Sequence, residues 1–269
     1  MTDVRMRDRV VIRFAGDSGD GMQLTGDRFT SDSVFVGNDF ATLPLYPAEI
    51  RAPHGTIGGV SSFQVHFASI DIKTPGDQVD VLVAMNPAAL RANLIDLKRG
   101  GTIIADSAEF SPRHLAKVDY ATNPLADGSL DDYDVHALDL TGLATASVAH
   151  LGLARADAAR TRNMYALGLV TWLFSRAPEP TLAFLERRFA SRPALRDANR
   201  AAFKAGYDLG DTTETFAVRY EVAPAEVGSG TYRQITGNKA IALGLMAGAA
   251  RAGLPLFLGA YPITPATDI

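Results

Sequence analysis

Three segments of the sequence combine glycine, proline and polar side chains in patterns that can bind ligands. The first is the glycine-rich loop GDSGDG at residues 16–21, which follows an apolar run and precedes a stretch with helical periodicity. Glycine permits a tight turn, and the free N–H groups at a helix start attract anions. The spacing is neither the dinucleotide fingerprint nor a P-loop, and Asp17 and Asp20 would repel a closely held phosphate. The loop therefore predicts a looser site for a large phosphorylated ligand, a subunit contact or a structural turn.

The second segment is PAEIRAPHGTIGG at residues 47–59, which lies between predicted strands. A loop this rich in glycine and proline that also carries Glu49, Arg51 and His54 is typical of functional loops. Glu49 and Arg51 would equally suit a surface ion pair, and His54 a structural role. The other four histidines show no metal-ligand spacing, so the sequence predicts no metal site.

The third segment is YPITP at residues 261–265. Its threonine, Thr264, stands at a predicted helix N-cap, with Pro265 at the first helical position. A hydroxyl beside unpaired helix N–H groups suits a carboxylate ligand, although the same residues would also serve as a simple helix cap.

These segments lie within a pattern of short apolar strands that alternate with helices. Phe63, Val65 and Phe67 alternate with polar residues, which predicts a strand with one covered face. A helix is predicted from Asn86, as N-cap, to Gly100. The remaining predictions are strands at residues 10–14, 79–85, 102–105 and 135–140 and a helix at 22–36. Such alternation indicates an α/β fold with a mostly parallel sheet, whose ligands bind at the carboxyl ends of the strands.

The second half of the sequence is predominantly helical. Three helices are predicted between residues 141 and 209, followed by an irregular linker over 210–235. A second unit begins at residue 236, with a helix through residue 250 and a strand at 256–261. Residues 151–204 carry ten Lys/Arg against four Asp/Glu, which indicates either a solvated helical face or a docking surface for an acidic partner.

The composition of the 269 residues excludes several classes of protein. A net charge of −4 argues against a general nucleic-acid binder, and the absence of cysteine excludes a disulfide or a thiolate-held iron–sulfur cluster on this chain. The sequence contains neither a signal-peptide core nor a membrane-spanning apolar stretch. We therefore expect a cytoplasmic protein. Since the sequence stops at residue 269, directly after a predicted helix start, we expect it to be a fragment.

Four segments, in order, resemble the fused γ/α chain of the 2-oxoacid:ferredoxin oxidoreductases. They are FAGDSGDGMQLTG (14–26), PAEIRAPHGTIGGVSSFQVHF (47–67), GNKAIALGL (237–245) and YPITPATDI (261–269). The PAEIRAP and GVSSFQV parts look most like the 2-oxoglutarate branch. The resemblance implies a Rossmann-like γ domain at residues 8–209, the linker, and at 236–269 the incomplete start of a second α/β domain of the pyrimidine-binding, thiamine-diphosphate type.

The family resemblance also implies a function. Such enzymes oxidatively decarboxylate a 2-oxoacid with coenzyme A, giving an acyl-CoA (here succinyl-CoA) and CO₂, and pass electrons to ferredoxin. Thiamine diphosphate, Mg²⁺ and a [4Fe-4S] cluster would be held on a partner β subunit in a heterodimer. No catalytic residue is expected within these 269 residues, so they are expected to be inactive without the rest of the α domain and the β subunit.

The resemblance assigns two sets of binding residues. Thr264 would bind the substrate carboxylate, with Tyr261, Pro262 and Ile263 forming the pocket around it. The glycine loop would contact coenzyme A, and the residues concerned are Gly16, Ser18, Gly19, Asp20 and Gly21, together with Arg51. A non-catalytic assembly module and a branch specific for pyruvate or branched-chain 2-oxoacids remain alternatives, whereas the acidic loop argues against an NAD-dependent dehydrogenase.

Overall fold

A computed structural model describes residues 3–46, 59–212, 216–228, 230–233, 235–261, 267 and 269. The chain divides into two compact units, residues 1–226 and 227–269. In the part of the chain that the structure describes, no helix has the length and apolar character needed to cross a bilayer.

The larger unit contains eight described strands and eight described α-helices. The strands are β1 (Asp3–Met6), β2 (Arg9–Asp17), β3 (Asp39–Leu45), β4 (Val60–Ala68), β5 (Val79–Ala84), β6 (Leu97–Asp106), β7 (Asp134–Leu138) and β8 (Val218–Glu221). The helices are α1 (Met22–Val36), α2 (Pro87–Asn93), α3 (Pro112–Ala116), α4 (Leu140–Ser147), α5 (Arg155–Arg160), α6 (Arg162–Leu173), α7 (Glu179–Arg188) and α8 (Pro193–Thr212). The smaller unit contributes α9 (Gly237–Ala252).

Six strands form one sheet in the order β3-β4-β2-β5-β6-β7. The strands β2, β5, β6 and β7 are parallel to one another, while β4 is antiparallel to both of its neighbours. Alternate residues of β2 enter different hydrophobic clusters: Ile12 and Phe14 face the cluster that contains α6 and α8, and Val11 and Ala15 face the cluster that contains α2. The predicted α/β fold with a mostly parallel sheet is confirmed.

The first helix has the predicted limits because glycine ends it. Gly37 adopts a left-handed conformation (φ 86°), and its N–H reaches the carbonyl oxygens of Ser33 and Val34. The predicted start of α2 is also confirmed, since the Asn86 side chain accepts a hydrogen bond from the Ala89 N–H at 2.8 Å.

The predicted end of α2 at Gly100 is wrong. The helix ends at Asn93, a short 3₁₀ turn follows over Leu94–Asp96, and β6 begins at Leu97. Leu97 is buried and pairs with Val79 of β5, so contacts with the sheet determine where the helical segment ends. Gly100 and Gly101 therefore belong to strand β6.

The prediction that β4 has only one covered face is also wrong. Gln64 and His66 are buried, because residues 74–76 pack against the face of β4 that carries them, where His66 Nδ1 lies 2.8 Å from the Thr74 carbonyl oxygen. The Gln64 Oε1 accepts hydrogen bonds from Arg13 Nε at 3.0 Å and Nη2 at 2.6 Å, and its amide donates to the Pro75 and Gly76 carbonyls. The polar residue Gln64 of β4 is therefore satisfied by internal partners and does not face solvent.

The segment predicted as an irregular linker contains strand β8. This strand pairs in parallel with β1, and Phe216 and Val222 on either side of it are buried in the larger hydrophobic cluster. A four-residue strand whose partner lies more than two hundred residues away has little local signal. The domain limits at residues 209 and 236 stay a prediction.

In the smaller unit, the predicted helix is confirmed as α9, which ends at Ala252 and is capped by Gly253 in a left-handed conformation (φ 66°). The strand predicted at residues 256–261 is absent, since the structure has no regular secondary structure there and Phe257 is almost fully exposed. A strand needs a hydrogen-bonding partner, and the described residues of this unit provide none.

Burial of Asp32 on α1 is expected to make stability depend on pH. The carboxylate accepts hydrogen bonds from Arg28 Nη2 at 3.0 Å and the Thr181 hydroxyl at 2.6 Å. Burial, only partly opposed by Thr181, Arg28 and Arg176, raises the pKa of Asp32 from 3.8 to about 6. Since the folded pKa lies above the unfolded one, the folded state binds the extra proton, and stability rises as the pH falls through 6 toward 4. We expect the free energy of unfolding of the wild type, measured with urea, to increase by about 1 kcal/mol between pH 7 and pH 5 because of this group.

The Asp32→Asn variant provides the comparison, because its amide does not titrate in this range. Between pH 7 and pH 5, the unfolding free energy of the variant should therefore lack the increase of about 1 kcal/mol expected for the wild type. Identical pH dependences for the two proteins would contradict the assignment.

Candidate functional site

The candidate site lies at the carboxyl ends of three adjacent parallel strands. Strand β2 ends at Asp17, β5 runs into Asn86, and β6 ends at Asp106. The Asn86 Nδ2 donates a hydrogen bond to Asp17 Oδ1 at 2.8 Å, so the N-cap of α2 joins two neighbouring strand ends. This is the edge of the sheet at which open α/β folds bind ligands.

The glycine loop connects β2 to α1, and hydrogen bonds from its backbone N–H groups hold it in place. The Ser18 N–H donates to the Gly59 carbonyl at 3.0 Å, and the Asp20 carboxylate accepts from the Asp17 N–H at 2.8 Å. Gly21 caps α1 in a left-handed conformation (φ 79°), where an added Cβ would lie 2.3 Å from Asn163 Nδ2. The positive φ would strain a residue with a side chain here, and an added Cβ would also displace the Asn163 amide at the point where the loop meets α6.

Arg162, at the start of α6, connects the loop to the end of β6. Its Nη2 donates to Asp20 Oδ1 at 2.8 Å, and its Nη1 donates to Glu109 Oε1 at 2.5 Å and to the Thr141 hydroxyl at 3.2 Å. The same Nη1 lies 3.8 Å from Asp106 Oδ2. Both aspartates expected to repel a phosphate are thus partnered, Asp20 by Arg162 and Asp17 by Asn86.

Asp106 is fully buried beneath this cluster. It accepts hydrogen bonds from the Thr141 hydroxyl at 2.6 Å and the Thr141 N–H at 3.2 Å. Burial raises the pKa of Asp106, while Thr141 and Arg162 oppose that effect. The carboxylate fixes the start of α4 against the end of β6.

A cleft of about 1020 Å³ opens beside the cluster. Its walls come from β3 and β4 through Leu45, Val60 and Ser62, and from α2, α3 and the turns after them. Its ionisable lining residues are Asp17, Arg91, Glu109, His114, Lys117, Asp119 and Arg162. The volume is at the upper end of the range for small-molecule and cofactor sites.

The basic side chains of the cleft differ in how far they are neutralised. Arg162 is fully paired, and Arg91 lies over the Tyr120 ring at 5.5 Å and 4.0 Å from Asp119 Oδ2. Lys117 has no acidic partner among the described residues. Lys117 and Arg91 are therefore the cations best placed to meet an anionic ligand in this cleft.

The structure tests the predicted site residues only in part. Among the described residues, Asp17 lines the cleft, whereas Gly16, Ser18, Gly19, Asp20 and Gly21 form the adjoining loop and do not line it. Tyr261 is exposed in the smaller unit. Arg51, Pro262, Ile263 and Thr264 lie outside the described residues, as do Glu49 and His54. Their assigned roles stay predictions.

Sequence reasoning missed Arg162, Asp106, Glu109 and Asn86 as a cluster. Arg162 belongs to the basic stretch 151–204, for which the sequence predicts a solvated face or a docking surface, whereas its side chain is mostly buried. Its partners lie 21 to 142 residues away along the chain, so no local spacing could have revealed them. Within the described ranges, no three His, Cys, Asp or Glu side chains are grouped to hold a metal ion.

A sequence profile of the pyruvate ferredoxin/flavodoxin oxidoreductase family matches residues 11–209 of this chain. The chain belongs to this family. It is also 55% identical over 267 residues to the 2-oxoglutarate oxidoreductase subunit KorA of Mycobacterium tuberculosis, an alignment that covers 99% of this chain and 41% of that protein. The chain thus spans about two fifths of the length of this relative. The resemblance inferred from the four motifs is confirmed.

Two solved structures show the same fold. The 2-oxoglutarate:ferredoxin oxidoreductase from Magnetococcus marinus, solved with 2-oxoglutarate, coenzyme A and succinyl-CoA bound, matches 97% of this chain and 40% of that chain at 25% identity, with a TM-score of 0.66. The γ subunit of a keto/oxoacid ferredoxin oxidoreductase from Geobacter sulfurreducens matches 76% of this chain and 99% of that chain at 21% identity, with a TM-score of 0.52. At that identity the second match supports the fold alone.

Proposed function

We propose that this chain is part of the α subunit of a 2-oxoglutarate:ferredoxin oxidoreductase, which converts 2-oxoglutarate and coenzyme A to succinyl-CoA and CO₂ and reduces ferredoxin. The observation that carries the proposal is the 55% identity to a 2-oxoglutarate oxidoreductase subunit over nearly the whole chain. The solved neighbour with 2-oxoglutarate, coenzyme A and succinyl-CoA bound supports the same substrate pair.

The proposed domain division follows the family. Residues 8–209 form a γ-type domain, residues 210–235 a linker and residues 236–269 the start of an α-type domain. The heterodimeric partner is a β subunit, and the enzyme is cytoplasmic. These 269 residues contain no cysteine and so supply no thiolate ligand, and the proposed place of the [4Fe-4S] cluster is the partner subunit.

The cleft at the carboxyl edge of the sheet is the proposed contact for coenzyme A. Lys117 and Arg91 on its wall would attract the phosphate groups, and the glycine loop at its border would approach the ligand closely because it has few side chains. Arg162 keeps that loop fixed to α6 and β6, so the loop is ordered before a ligand arrives.

Thr264 is the proposed group for the 2-oxoacid carboxylate, with Tyr261, Pro262 and Ile263 around it. A hydroxyl held there orients the carbonyl for attack without acting as a base. Thiamine diphosphate with Mg²⁺ on the partner subunit supplies the electron sink for decarboxylation. The residues of this chain bind and orient the substrate.

The proposed function is tested by dye-coupled oxidation of 2-oxoacids by the full-length protein together with its β partner. We expect coenzyme A-dependent dye reduction with 2-oxoglutarate and at least tenfold lower kcat/KM with pyruvate and 2-oxoisovalerate, because a pocket built for a second carboxylate leaves polar groups unpaired when it is missing. The same complex without coenzyme A is the control.

Two outcomes would contradict the proposal. Preference for pyruvate or 2-oxoisovalerate would place the protein in another branch of the family. No dye reduction by a complex shown to contain thiamine diphosphate and its cluster would favour the non-catalytic assembly module.

A further inference from the structure

A second cavity lies at the opposite edge of the sheet, at the amino ends of β2, β5 and β6. Its volume is about 240 Å³. Its polar lining residues are Arg7, Arg9, Asp80, Lys98, Arg99 and Thr102. One wall is aromatic, formed by Phe174 and by Tyr220 of β8, whose rings stack at 5.7 Å. Neither the proposed reaction nor the cleft at the carboxyl edge uses any of these residues.

An irregularity in β6 shapes this cavity. Val79 of β5 pairs with Leu97 and Val81 pairs with Thr102, so residues 98–101 bulge out of the ladder. Gly100 has a left-handed conformation (φ 71°), and its N–H donates to the Asp132 carbonyl at 2.8 Å. An added Cβ at Gly101 would lie 2.8 Å from the Lys98 carbonyl oxygen. The glycines thus fix a bulge that brings Lys98 and Arg99 to the cavity, a local feature of the kind found beside functional sites.

The cavity carries an excess of positive charge on a chain whose net charge is negative. Four basic side chains line it against one carboxylate, Asp80. Both oxygens of Asp80 are already engaged, one by the Val11 N–H at 2.7 Å and the other by Lys98 Nζ at 2.6 Å.

Arg7 and Arg9 remain available for a ligand. Arg7 lies over the Tyr220 ring at 5.4 Å, and its N–H donors have no carboxylate partner among the described residues. Arg9 has no acidic partner within the described ranges. Two guanidinium groups without neutralising partners at one small cavity favour a multiply charged anion, and planar N–H forks suit phosphate oxygens best.

We propose that this cavity binds a small phosphate-class anion. The volume is below the range of sites that enclose a drug-sized ligand, so the ligand is either inorganic phosphate or diphosphate or the terminal phosphate of a nucleotide whose remainder lies outside. Arg7 and Arg9 bind the oxygens and Tyr220 holds Arg7 in place, while Lys98 and Arg99 stay paired with Asp80 and Asp132. The site is separate from the proposed coenzyme A cleft, and its occupancy does not depend on turnover.

The test is isothermal titration calorimetry of the full-length protein at low ionic strength with diphosphate, phosphate, AMP and, as a non-phosphate dianion, succinate. We expect saturable binding of a phosphate-bearing ligand at this site and weaker binding of succinate. The ligand with the lowest Kd then shows whether the site prefers a free phosphate ion or a nucleotide. The Arg7→Gln/Arg9→Gln double variant should bind at least about tenfold more weakly, because it loses charge-assisted hydrogen bonds. Both arginines are exposed and form no ion pair within the part of the chain that the structure describes, so the variant should fold normally.

Matched variants decide where the anion binds. Arg187→Gln on α7 removes one exposed arginine without an acidic partner in the described structure and should leave binding unchanged. Lys117→Gln removes a cation of the carboxyl-edge cleft. Binding lost in Lys117→Gln but kept in the double variant would place the anion in that cleft and overturn the proposal. No saturable binding by the wild type, or tighter binding of succinate than of any phosphate, would also overturn it.

Discussion

Replacing Arg162 with methionine is expected to lower the free energy of unfolding by about 3–5 kcal/mol, as when one partner of a buried ion pair is removed. Methionine keeps an unbranched, flexible apolar side chain at this position but is shorter than arginine and lacks the guanidinium group. It cannot donate to Asp20, Glu109 or Thr141, and it leaves the buried Asp106 without a nearby cation. Chemical denaturation of wild type and variant at pH 7 measures the difference.

The neighbouring Arg160 provides the matched control. It lies two residues earlier, is about four fifths exposed, and within the described residues its ion pair is with Asp157 at 3.3 Å. Arg160→Met should change the unfolding free energy by less than about 1 kcal/mol, because exposed pairs contribute little. Arg162→Lys should recover only part of the loss, since an ammonium group cannot reach several acceptors with a planar fork.

Equal effects of Arg160→Met and Arg162→Met would show that Arg162 does not hold this cluster together. If the proposed function is correct, Arg162→Met should also weaken coenzyme A binding, because the glycine loop would lose its attachment to α6. A stable Arg162→Lys protein separates this effect from unfolding, since its KM for coenzyme A is measured on a folded enzyme.

The second large effect is expected for Gly168→Ala in α6. Helices α6 and α8 cross with their backbones in contact at this glycine, where an added Cβ would lie 2.0 Å from the Phe203 carbonyl oxygen. Gly206 on α8 makes the reciprocal approach, 2.0 Å from the Tyr165 carbonyl oxygen. The helices must separate to admit the methyl group, and we expect a loss of about 3 kcal/mol or more despite the better helix propensity of alanine.

Gly244→Ala is the matched control for Gly168→Ala. Gly244 is also an interior helical glycine, in α9, and nothing lies within 4 Å of an added Cβ there. This substitution should leave the unfolding free energy of the larger unit unchanged. A Gly168→Ala protein as stable as the wild type would mean that α6 and α8 do not cross as closely as the structure shows.

Local features of the sequence predicted much of the larger unit. The limits of α1 follow from glycines at both ends, and the start of α2 follows from Asn86 and Pro87, because caps act within a few residues. Alternation of short apolar runs with helices gave the α/β fold. The order of the motifs gave the family, since the motif residues can be read without knowing their spatial neighbours.

Local sequence patterns did not predict the features that depend on contacts between residues far apart in the sequence. The end of α2 and the existence of β8 depend on which strands become neighbours, and the two covered faces of β4 depend on which segments pack on the sheet. An alternating pattern records that polar residues are present, but it does not distinguish solvent from an internal partner such as Arg13, which binds Gln64.

Both sites described above depend on the tertiary structure in the same way. The sequence by itself determined the glycine loop, the absence of cysteine and the basic character of residues 151–204. Only the fold decided that Arg162 in that stretch binds Asp20, 142 residues earlier, and that Arg9 and Lys98 share one cavity. The physical reason is that a charge acts over a few ångströms of space, and parallel strands bring together residues that the chain separates widely.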